Sequence, residues 1–115
     1  MKYKGSCHCG KIAYEAEGDL NGAMSCNCSM CSRTGALLWF VPLSQFRLLA
    51  GEKDMGTYTF NKRVIQHRFC RTCGIHPFSE GEDPRGNQIA AVNIRCLDGV
   101  DLEKIPMQHF DGRSL

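Results

Sequence analysis

Seven of the eight cysteines in this 115-residue chain fall into three tight clusters, Cys7-x-Cys9, Cys26-x-Cys28-x-x-Cys31 and Cys70-x-x-Cys73. Zinc in structural sites takes four ligands, usually thiolate or imidazole, at the corners of a tetrahedron. The clusters supply two, three and two thiolates. Two plus two closes one site and leaves three, one ligand short of a second. A closed site holds a fold together, whereas a three-ligand site keeps a position for water or substrate. The spacing therefore predicts a structural metal on Cys7, Cys9, Cys70 and Cys73 and a working metal on Cys26, Cys28 and Cys31. Two alternatives stay open. One is a single zinc held between the second and third clusters, with Cys7 and Cys9 spare. The other is iron in place of zinc, since thiolates bind both.

Eight cysteines in a short chain also suit a secreted disulfide scaffold. Against that, the paired cysteines stand one or two residues apart, as in metal knuckles, and Met1 to Gly5 lacks the apolar core of a signal peptide. Free thiols imply a reducing compartment and a cytoplasmic protein. No run approaches the roughly 18 apolar residues of a membrane span. A hydrophobic fraction of 43% is that of a folded chain, and the length suits one domain over residues 1–115. The net charge of +2 is scattered. Its densest groupings, Lys62-Arg63 and Arg68 with Arg71, make no nucleic-acid footprint.

Short extended segments separated by turn residues predict an all-β fold with small helical turns. Lys11 to Ala16 alternates as a half-buried strand does, and Ala36 to Val41 is a continuous apolar run of the kind buried on both faces. Pro42 to Phe46 reads as one helical turn leading into Arg47-Leu48-Leu49. Thr57 to Phe60 and Val64 to Phe69 read as a hairpin around Asn61-Lys62. Gln88 to Cys96 reads as one long strand stopped by Asp98-Gly99, and Asp101 as the cap of a short helix through Lys104.

Cys7 and Cys9 lie two apart, so in an extended segment their side chains share a face. Cys70-Arg71-Thr72-Cys73-Gly74 is a knuckle whose glycine supplies the positive φ of a tight turn. The middle cluster offers three corners of a tetrahedron from one loop, and Cys96 or one of the four histidines is the candidate to close it. Left open, a three-thiolate zinc is suited to capture a substrate thiol and lower its pKa from the free value near 8.5. Cys96 reads as a buried small residue, His8 as pointing away from the first metal, and His67 and His76 as packed or surface residues, with His76-Pro77 a candidate neighbour of the open site.

The order CxC, CxCxxC, CxxCG resembles the glutathione-dependent formaldehyde-activating enzyme family, which includes centromere protein V. The likeness extends to Gly5-Ser6-Cys7-His8-Cys9-Gly10, to Phe69 through Phe78, to Val92 through Asp98 and to Asp111-Gly112-Arg113. It implies a β-rich zinc fold of antiparallel sheets, shared with Rab-binding zinc chaperones and methionine sulfoxide reductase B. It implies two zinc ions, a structural one on Cys7, Cys9, Cys70 and Cys73 and a catalytic one on Cys26, Cys28 and Cys31. The activity implied is a carbon–sulfur lyase reaction joining formaldehyde to glutathione as S-hydroxymethylglutathione. Two departures stand out: the chain is short for the founding enzyme, and Asn27 stands between two cysteines where the family often has histidine.

The leading expectation is thus a zinc-dependent enzyme acting on a small thiol such as glutathione, with no nucleic-acid or membrane partner. One competitor is a non-catalytic, zinc-stabilised protein-binding domain with a closed second site. Another is a thiol reductase with Cys96 as nucleophile, stabilised by Arg95.

Overall fold

The computed structural model describes residues 1–59 and 65–114. The expected turn at Asn61-Lys62, and the flanking Phe60 and Val64, lie outside the described residues. So does the Lys62-Arg63 pair.

Two sheets carry the fold. The smaller is antiparallel, built from β1 (Lys2–Ser6), β2 (Ala13–Glu17) and a further strand, Phe46–Ala50, in the order first, second, third. With the Phe46–Ala50 strand numbered β5, the larger sheet is built from β3 (Ala23–Cys26), β4 (Leu37–Pro42), β6 (Met55–Tyr58), β7 (Gln66–Cys70), β8 (Phe78–Glu82), β9 (Gln88–Asn93) and β10 (Met107–Phe110), in the spatial order β10-β3-β4-β9-β8-β7-β6. The only α-helical turn among the described residues is α1 (Cys31–Thr34), and the remaining helical pieces are single 3₁₀ turns.

The core forms where the sheets face each other. β2 places Tyr14 and Ala16 inward and β4 places Trp39 and Val41, while Phe78, Ala90 and Val92 complete the contact from β8 and β9. Tyr14 stacks on Phe46 at 5.2 Å and meets Phe78 edge-on at 5.6 Å. Its hydroxyl donates to the Pro77 carbonyl at 3.2 Å, so the buried phenol is satisfied. Two glycines make room for aromatic rings across strand pairs. Gly5 pairs with Tyr14 and Gly56 with Phe69. A Cβ on either glycine would stand 2.6 Å or 2.4 Å from the opposing ring.

Several expectations are met. The helical turn after Pro42 covers Leu43–Gln45, and Asp101 caps Leu102–Lys104 by accepting the Glu103 amide at 3.1 Å. The paired strands on either side of the expected hairpin turn are antiparallel, with Tyr58 opposite His67.

Three expectations need correction. The apolar run at β4 is not buried on both faces: Trp39 and Val41 are buried, but Phe40 between them is 43% exposed. The long strand ends at Asn93 rather than at Cys96. Asn93 accepts the Arg95 amide at 3.2 Å and turns Ile94–Cys96 into a 3₁₀ helix. The large sheet is also mixed rather than purely antiparallel, because β10 runs parallel to β3, with Met107 opposite Ala23 and Phe110 opposite Cys26.

Candidate functional site

The first and third clusters meet. The sulfurs of Cys7, Cys9, Cys70 and Cys73 all lie within 4.8 Å of one another. Cys9 stands 3.6 Å from Cys7 and 3.6 Å from Cys70. Local chain geometry produces this. The Cys7 amide donates to the Ile12 carbonyl at 3.0 Å, and the Ile12 amide returns to the Cys7 sulfur at 3.4 Å. In the knuckle, the Gly74 amide reaches the Cys70 carbonyl at 2.8 Å with Gly74 at φ 80°. The amides of Thr72 and Cys73 then aim at the Cys70 sulfur at 3.4 and 3.5 Å. The Lys11 ammonium joins the two loops by donating to Thr72 Oγ1 at 3.2 Å.

The donor set suits a soft divalent cation. Zinc–sulfur bonds of about 2.3 Å put tetrahedral sulfurs about 3.8 Å apart. Unaided, four adjacent thiols cannot all ionise. Amides of Ile75 and Cys9 draw Cys73 down to about 6. The Lys11 amide pulls Cys9 down too, but burial and the Cys70 and Cys7 thiols carry it up to about 11. A cation at the centre would remove that conflict.

The second cluster is separate. The sulfurs of Cys26, Cys28 and Cys31 lie within 4.8 Å of one another, and among the described residues no fourth Cys, His, Asp or Glu joins them. The alternative pairing of this cluster with Cys70 and Cys73 is therefore corrected. Cys26 ends β3, Cys28 sits in the following loop and Cys31 opens α1. The Cys28 amide points at the Cys26 sulfur at 3.4 Å and the Cys31 amide at the Cys28 sulfur at 3.3 Å. Burial, then the neighbouring Cys28 thiol, pushes Cys31 up to about 12. Burial also acts against ionisation of Cys28, but the Cys31 amide and thiol outweigh it and hold Cys28 low.

The C-terminal segment closes one side of this cluster. The Asn27 amide donates to the Phe110 carbonyl at 3.2 Å, and the Asn27 side chain bridges Asp111 and the Arg113 amide. Gly112 lies directly on the cluster, where a Cβ would stand 2.7 Å from the Cys26 sulfur. The sequence marks Asp111-Gly112-Arg113 as a family-like segment but gives it no place in the fold. Its destination depends on the parallel β10–β3 pairing, which no local pattern announces.

On another side of Cys31 lies a cavity of about 40 Å³, lined among others by Thr34, Ala36, His67, His76 and Asn93. His76 was an expected neighbour of the open site, and His67 joins it from β7. Burial holds both imidazoles below their usual range, and His67 is lowered further by His76. Outside lies an open depression of about 310 Å³ lined by Ser29, Met30, Arg33 and Tyr58, with Met30 common to both spaces.

Neither Cys96 nor any histidine belongs to a cysteine cluster. Burial, then the Cys7 and Cys73 thiols, pushes Cys96 up to about 11, and Arg95 Nε donates to the Gly35 carbonyl at 3.1 Å. His8 is exposed and outside the cluster, though not through strand alternation: residues 8 and 9 form a turn after β1, and Cys9 is exposed as well. Arg68 is engaged with Glu80 at 2.6 Å, so it offers no isolated cationic patch.

The fold and its two thiol clusters define a β-rich domain equipped to bind soft metal ions. More particularly, the chain belongs to the glutathione-dependent formaldehyde-activating enzyme family, which it matches over residues 2–111. It is also similar to a crystal structure of a Rhodobacter sphaeroides protein, with 34% identity and a TM-score of 0.79, over 91% of this chain and 99% of that one. Among the described residues, no helix is long and apolar enough to cross a membrane.

Proposed function

We propose that residues 1–115 form one zinc-dependent unit that joins a small thiol, glutathione in the first instance, to formaldehyde, and that runs the reverse carbon–sulfur cleavage. The observation that carries this reading is the unequal pair of clusters: four converging thiols in one, and three in the other beside a cavity. Cys7, Cys9, Cys70 and Cys73 would hold a structural zinc. Cys26, Cys28 and Cys31 would hold a second zinc with a position left for substrate. Bound there, zinc supplies Lewis acidity that keeps a substrate sulfur as thiolate near neutral pH.

The chain's own residues do the positioning. The amides of Cys28 and Cys31 orient the cluster sulfurs, and the segment after β10 holds the loop from behind. The outer depression has room for part of a tripeptide, and Arg33, whose Nη1 donates to the Ser29 carbonyl at 2.8 Å, keeps its other guanidinium donors for a substrate carboxylate. The inner cavity lies against Cys31, beside the cluster. Dependence on free thiols assigns the protein to a reducing, cytoplasmic setting.

Glutathione and formaldehyde also combine unaided, so the test is a comparison of rates. Two-dimensional exchange NMR of adduct formation should show acceleration by the intact metal-loaded protein and none by Cys28→Ser. Equal exchange rates would defeat the assignment.

A further inference from the structure

We propose that the cavity beside Cys31 receives the aldehyde carbon and oxygen and that His76 and His67 form its oxygen-binding wall. This rests on the thiol–aldehyde reading above and adds to it a location and two residues.

Size comes first. A cavity needs about 10–15 Å³ to admit one water molecule. At about 40 Å³ this one has room for a few atoms of that size. Its walls leave little freedom to expand. Ala91 and Phe78 are buried on adjacent strands β9 and β8, paired with the register Phe78 to Val92 and Ser79 to Ala91. Leu38 and Ala36, both half-buried, line the side nearest α1. Toward β8 and β9 a substrate meets packed sheet.

Chemistry comes second. Adduct formation moves the sulfur lone pair onto the carbonyl carbon, forming the carbon–sulfur bond. The carbonyl π pair moves onto oxygen, which takes up a proton in place of the one the thiol lost on ionising. Thiol and aldehyde are consumed whole, with no oxidant or leaving group. Charge develops on the oxygen, and a donor placed there stabilises the transition state. His67 on β7 and His76 after the knuckle reach the same cavity from separate segments, and Cys31 lines its other side. Burial disfavours their protonated forms, and each neutral ring still carries one N–H donor and one acceptor.

The experiment uses the metal-loaded chain and nitrogen-edited NMR of its imidazoles. Glutathione is added first, then ¹³C-formaldehyde. The hydroxymethyl adduct should shift the His76 and His67 resonances beyond the effect of glutathione alone. Ala36→Leu, which fills the cavity, should keep its metal and its glutathione binding while losing the imidazole shift and at least tenfold in rate. His76→Phe should lose about 10²-fold, the usual worth of one such donor, and His76→Gln should recover much of it.

If glutathione binds and the adduct forms on the protein while both imidazoles stay unmoved, the cavity assignment is overturned and the broader reading survives. If glutathione fails to bind at the three-cysteine cluster, both fall together. The wild-type shifts decide the matter even if a variant fails to fold.

Discussion

The Asn27 side-chain amide donates to Asp111 Oδ1 at 2.9 Å, and the Asn27 carbonyl oxygen accepts the Arg113 amide at the same distance. Asp111 is fixed in turn by the Ser114 hydroxyl at 2.5 Å. One side chain inside the cysteine loop thus ties that loop to a segment more than eighty residues away, where Gly112 packs on the Cys26 sulfur. Removing outer contacts of a metal site typically weakens binding 10–100-fold. Asn27→Ala should therefore weaken zinc at the three-cysteine cluster by about that factor and leave the four-cysteine cluster unchanged. Competition with a chromogenic chelator, read as two separate release phases, checks this; simultaneous weakening of both phases would count against it.

Gly5→Ala tests the packing of the small sheet. The new Cβ would stand 2.6 Å from the Tyr14 ring, which is buried and held by Pro77 and Phe46. Overpacking of this kind costs about 1–3 kcal/mol. Denaturant unfolding at constant metal loading should show a loss in that range, with the zinc count unaltered.

Cys73→Ser removes one corner of the cluster that joins the N-terminal loop to the knuckle. Structural zinc in small domains contributes about 10–16 kcal/mol of apparent binding energy, against a total stability of about 5–15 kcal/mol. The variant should be unfolded or aggregated by circular dichroism, as should the native chain after prolonged chelation. Cys28→Ser should remain folded, because the second cluster draws all its ligands from one loop.

The two cavity histidines make stability depend on pH. Both are held below their ordinary value near 6.5, chiefly by burial. The unfolded chain therefore takes up protons first, so stability falls as pH drops below about 6.5 toward the folded-state values and is regained above it. His76→Gln should lose less stability than the native chain between pH 7.5 and pH 5.5, the thiolate sites being common to both. Equal losses, measured by denaturant midpoints, would contradict this.

The cysteine arithmetic is legible in the sequence because metal ligation imposes short, countable spacings, as in the knuckle with Gly74. The Asp101 cap is legible for the same local reason. What escapes is decided by distant partners. Phe40 looks like its buried neighbours until the sheet supplies only one covered face. The strand from Gln88 gives no warning that the Asn93 side chain will turn it. The return of β10 beside β3 brings Gly112 to Cys26, and sheet order alone brings His67 and His76 to Cys31's cavity.

The most direct test of the central claim is ¹¹³Cd NMR of the cadmium-substituted protein before and after addition of glutathione. The account predicts two resonances, one from the four-cysteine cluster that stays fixed and one from the three-cysteine cluster that moves toward the four-sulfur position as the thiol binds. A single resonance, or two that both ignore glutathione, would contradict it.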